Sequence, residues 1–64
     1  MSPWQERVIA ERDQLRDRLN KLIAFGVTPE YEALPFVEKL DLALQGEHMH
    51  GYWKALQRRI ERFK

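Results

Sequence analysis

Cysteine is absent from this 64-residue chain, and with it go disulfide cross-links and thiolate zinc sites. Its absence leaves the compartment open, though it suits a reducing cytosol. No apolar run exceeds the LIAF of residues 22–25, far short of a membrane span or a signal-peptide core. A soluble, intracellular protein is expected. Serine occurs once, as Ser2, and there is no glycine-rich phosphate loop. Nor do the histidines and carboxylates show a nucleophile–base spacing. The chain reads as a non-enzyme without a cofactor.

What is present points to helix. Hydrophobic residues make up 44% and charged residues 33%, a balance that argues against disorder. The net charge of +1 gives no overall pull toward nucleic acid or membrane. Ser2, Pro3 and Gln5 form a capping-box start: a serine oxygen for an unpaired N–H, and a proline where no donor is lost. From there Val8, Leu15, Leu19 and Leu22 recur in steps of three and four, with Arg12 in the missing place. The first helix is predicted over about residues 3–25, with Gly26 as a left-handed stop. Thr28 and Pro29 open a short turn over about 29–33. Pro35 begins a second long helix over about 35–62, because the residue before a proline is driven out of helical geometry. Its seam is read as Gln45, Met49, Tyr52, Leu56, Arg59 and Phe63, with Ile60 beside it. The expected fold is all-α: one antiparallel helical hairpin.

A hairpin needs one stripe per helix, and this sequence carries more. Trp4, Ile9 and Ile23 lie beside the first stripe, and Leu42 and Trp53 off the second. Each large side chain left in water forgoes about 1.5–3 kcal/mol, and a chain this short buries little of itself. A homo-oligomeric helical bundle resolves the excess, with Ile9, Leu42, Gly46, Met49 and Trp53 as its expected interface. Gly46 and Gly51 each cost about 1 kcal/mol against alanine inside a helix. They imply a break or a close approach, and the unbroken phase of Gln45, Met49, Tyr52 and Leu56 favours the approach. His48 and His50, two apart, point to nearly opposite sides of a helix and cannot share a metal. No metal is expected.

Charge is unevenly placed. Residues 1–14 and 50–64 meet at one end of a hairpin and hold seven basic against four acidic residues; residues 15–49 hold four against six. The basic end also holds both tryptophans and Tyr52. Guanidinium groups fork onto phosphate and flat rings stack on bases. Arg12, Arg58 and Arg59 are therefore the candidate phosphate contacts, and Trp4, Tyr52 and Trp53 the candidate stacking rings. The plainer account is helix-dipole compensation, a register-setting polar layer at Arg12, Gln45 and Arg59, and interface aromatics. Nucleic-acid binding fits worse, because acids intersperse a small basic patch.

The positions Arg7, Val8, Glu11, Arg12, Leu15, Arg18, Leu19, Lys21, Leu22 and Phe25, followed by Gln45, Met49, Tyr52, Leu56, Arg59 and Ile60, resemble a family. It consists of small single-domain proteins of tailed phages and prophages, related to a crAss-like phage protein of unknown role. The likeness covers nearly the whole chain and departs from the pattern at Gly46 and Gly51. It implies a helical hairpin of phage or prophage origin, acting in the bacterial host cytoplasm, without implying an activity. By analogy of size and origin, the expected function is a homo-oligomeric sponge. It would sequester a cyclic nucleotide or ADP-ribose-type signal of host immunity. The alternative is a helical module that inhibits or redirects a host protein.

Overall fold

In the computed structural model, described here over residues 1–63, the chain is all-helical. Three helices follow in order: α1 (Pro3–Phe25), α2 (Pro29–Glu32) and α3 (Phe36–Glu61). Lys64, counted above in the basic end, lies outside the described residues. The molecule is a rod of 46 × 15 × 13 Å in which α1 packs on α3. They run antiparallel, since Trp4 meets Phe63 and Arg12 meets Gln57. No described helix is long and apolar enough to cross a membrane.

The start of α1 uses the glutamine half of the capping box. Gln5 Oε1 accepts from the Ser2 backbone N–H at 3.0 Å. The Ser2 hydroxyl oxygen is buried and finds no hydrogen-bond partner among the described residues. At the other end Gly26 corrects the expectation of a left-handed stop: its φ of −63° and ψ of −12° are right-handed. The helix is ended two residues later. Pro29 forces Thr28 into extended geometry (φ −96°, ψ 156°). The Thr28 hydroxyl donates back to the Phe25 carbonyl at 2.7 Å while accepting from the Tyr31 N–H at 3.2 Å. One threonine thus closes α1 and caps α2. Pro35 then caps α3 in the same extended geometry.

The core is narrow. Val8, Leu15, Leu19 and Leu56 are the buried hydrophobic residues, and Leu56 is 1% exposed. Met49, Trp53 and Ile60 of α3, and Phe63 just beyond it, pack on Val8, Leu15 and Leu56. The seam of α3 is therefore shifted from the expected one. It keeps Met49, Leu56 and Phe63 but runs through Leu42, Gly46, Trp53 and Ile60 in place of Gln45, Tyr52 and Arg59, which are exposed. Both lines keep three- and four-residue steps, so periodicity alone does not choose between them. Burial does: the shift covers an indole and an isoleucine and leaves a phenol and a guanidinium in water. Trp53 and Leu42, read from sequence as surplus, belong to the hairpin's own seam.

No break interrupts α3 at either glycine. A Cβ on Gly46 would stand 3.5 Å from Leu22 Cδ2, an ordinary contact, and one on Gly51 would meet nothing within 4 Å. Gly46 therefore faces α1, whereas Gly51 faces outward.

Candidate functional site

The hairpin closes fully only near its termini. Toward the loop, α3 offers α1 the bare backbone of Gly46 where a side chain would fill the seam. The helices there leave a groove of about 500 Å³. Leu19, Leu22 and Ile23 from α1, Leu42 and Ala43 from α3, and Tyr31 from α2 line it. The wall is apolar, and its charged or titratable rim is Arg16, Glu47 and His50. Tyr31 is held in place by an edge contact with Phe25 at 6.1 Å and by Lys39 lying 5.4 Å from its ring centre.

The rim is ordered by Trp53. The Arg16 guanidinium sits 5.4 Å from the indole centre, and the His50 ring stacks parallel to the indole at 6.4 Å with a 4° tilt. A guanidinium on an aromatic face is held by the ring quadrupole and keeps its in-plane N–H donors free. Among the described residues Arg16 makes no salt bridge, in contrast to Arg12, Lys21 and Lys39. The indole Nε1–H is buried without a hydrogen-bond partner among the described residues, an omission that typically costs about 1–3 kcal/mol. The groove thus ends in a cation that rests on a ring and is not paired with a carboxylate among the described residues.

The six contacts expected from sequence do not come together. Trp53 is under this rim. Arg12 lies one turn from Arg16 on the same side, where its Nη2 pairs with Asp13 at 3.0 Å and its Nη1 donates to Gln57 Oε1 at 3.0 Å. It forms the polar layer of the seam, with Asp13 as its carboxylate. Trp4 and Arg59 share a second, smaller recess with Gln5, Arg62 and Phe63. There Trp4 packs edge-on against Phe63 at 5.2 Å. Tyr52, two turns before Arg59, is 47% exposed on that same flank. Arg58 is exposed on the outer face of α3. Proximity to the termini placed these residues at one end of the rod, but they point to three different sides of it. Of the expected oligomer interface, Met49 and Trp53 pack on the core, Gly46 and Leu42 line the groove, and Ile9 is half-buried.

Arg16, His50 and Glu47 were not singled out as ligand contacts from sequence. In the sequence Arg16 is one of several charged residues that alternate in sign along α1, as with Asp13. Its distinguishing mark is its place four residues after Arg12 on the α1 flank, which sets it opposite Trp53 once the α3 seam is shifted. Among the described residues, no three His, Cys, Asp or Glu side chains cluster as a metal site.

Comparison with curated proteins and with solved structures returns no match. A family model described as Sequestin matches residues 2–62, and that name is consistent with a sequestering, binding role rather than a catalytic one. The match spans both long helices, the loop and every residue of the groove, and the chain belongs to the Sequestin family.

Proposed function

We propose that this protein is a phage-encoded, homo-oligomeric sponge. It binds a nucleotide second messenger of host immunity in the host cytoplasm and holds it without cleaving it. The observation that supports this reading is the groove: an open apolar cleft of about 500 Å³ that ends at an arginine held on a ring. Small-molecule sites typically occupy about 300–1,000 Å³ and combine mostly apolar walls with a few placed polar groups. A base or ribose edge fits against Leu19, Leu22, Ile23 and Leu42. A phosphate reaches Arg16, with His50 beside it as a further N–H donor. Arg12 stands one turn beyond for a second phosphate once it gives up Asp13.

Calorimetry against cyclic di- and trinucleotides and cyclic ADP-ribose products tests the proposal. At least one should give saturable heat. Arg16→Ala should weaken that ligand by about tenfold or more, as expected on removal of a charge-assisted contact. Arg58→Ala, on the far face of α3, should leave it within about twofold. No heat from any member of the panel, with the protein shown to be folded by circular dichroism, would end the proposal.

A further inference from the structure

The outer face of α3 has no partner in the hairpin. Phe36 (75% exposed), Val37 (64%), Leu40 (46%) and Leu44 (43%) stand on it, opposite the seam by helical spacing. Gly51 and Ala55 continue the same stripe in steps of seven and four. Gly51 faces open space, so nothing within the hairpin explains a glycine there. The stripe is bulky in its first half and small in its second. Charge follows the same division. Asp41 and Glu47 flank the bulky half, whereas Lys54, Arg58, Arg59 and Arg62 surround the small half, with Glu61 the one acid among them.

We infer that this face pairs with its own copy, antiparallel about a twofold axis near the middle of α3. The inference deepens the oligomeric part of the function proposed above by naming the surface. A twofold contact must be self-complementary, and reversal of direction makes this one so. Leu44 drops between Gly51 and Ala55 of the partner subunit, and Leu40 covers the turn after Ala55. The flanks also match: on one side Glu47 meets Lys54 of the partner subunit, and on the other Asp41 meets Arg59 of the partner subunit. A parallel pair would instead lay Arg58 and Arg62 against themselves. Laid along its twin, a 26-residue helix offers a contact of about 39 Å, which covers the exposed bulky stripe on both copies. Because Glu47 also lines the groove, association brings a lysine to the one acidic residue on the groove rim. The rim facing a bound anion then becomes net positive.

Sedimentation of the ligand-free protein at micromolar concentration is the test. It reads association without any nucleotide, so it can fail while nucleotide binding in the groove stands, and the reverse. The native chain should sediment at about twice its 7.7 kDa mass or a multiple of that. Gly51→Gln places a helix-favouring side chain in open space, so the hairpin should fold at least as well while dimer dissociation rises by about tenfold or more. Glu47→Lys and Lys54→Glu should each weaken association, and the double reversal should restore it. The two residues lie about 10 Å apart along their own helix, so a rescue can only arise between copies. A 7.7 kDa species throughout overturns the inference, as does association indifferent to Gly51→Gln or reversals that show no rescue.

Discussion

The two halves of this hairpin are built from the same pair of helices and end differently. Near the termini α3 presents Trp53, Leu56 and Ile60 to Val8 and Leu15, and the seam shuts around a leucine that is 1% exposed. Near the loop it presents Leu42 and Gly46 to Leu22 and Ile23, and the seam stays open. Side-chain volume at successive seam positions separates the two halves: Trp53, Leu56 and Ile60 fill the seam where Leu42 and Gly46 leave it open. One half supplies stability and the other supplies room. The half-buried indole of Trp53 lies at the border and carries Arg16 and His50 toward the open side.

The closed half should suffer most from a single substitution. Leu56→Ala removes its most buried side chain, and such truncations cost about 2–5 kcal/mol, a large share of what a domain of this size has to lose. Chemical denaturation followed by circular dichroism should show a collapse of the transition midpoint. An effect below about 1 kcal/mol would place the core elsewhere.

The open half should respond in the opposite sense. Gly46→Ala adds a methyl at ordinary contact distance from Leu22 and gains helix propensity, so stability should rise by up to about 1 kcal/mol. Gly46→Leu should fill the groove and abolish nucleotide binding while the protein remains folded. Loss of stability in Gly46→Ala, or undiminished binding in Gly46→Leu, would mean that the groove is not held open by this glycine.

Smallest is the change expected at the polar layer. Arg12→Met deletes the Asp13 pair and the Gln57 hydrogen bond but keeps an unbranched side chain in the seam. Partly exposed ion pairs contribute about 0–1 kcal/mol, so the denaturation midpoint should hardly move. A shift of several kcal/mol would make Arg12 a keystone of the seam rather than a register mark.

Much of this architecture is legible in the residues themselves. Pro3, Pro29 and Pro35 mark three helix starts because each restricts backbone geometry locally, whatever the rest of the chain does. The stripe of α1 is equally plain, since charged residues surround it and only one line can be buried. On α3 two adjacent lines satisfy the same spacing, and only the volume of Trp53 and Ile60 against α1 separates them. The Gly26 misreading has a similar origin: glycine permits the left-handed turn without requiring it, and Pro29 already stops the helix. The candidate site was least legible. Grouping residues by their end of the rod ignores azimuth, so Arg12, Arg58 and Arg59 looked like neighbours. Arg16 passed for a surface charge until the shifted seam set Trp53 beneath it.

The central claim is that a guest lies in the loop-half groove, between Arg16 and Tyr31. Backbone amide shifts of the labelled protein, recorded while the tightest ligand of the nucleotide panel is titrated in, test this most directly. The account predicts that the largest shifts fall within residues 16–26 and 42–50, together with the Trp53 side-chain N–H. Shifts centred instead on Trp4, Arg59, Arg62 and Phe63, with residues 19–23 unmoved, would contradict it.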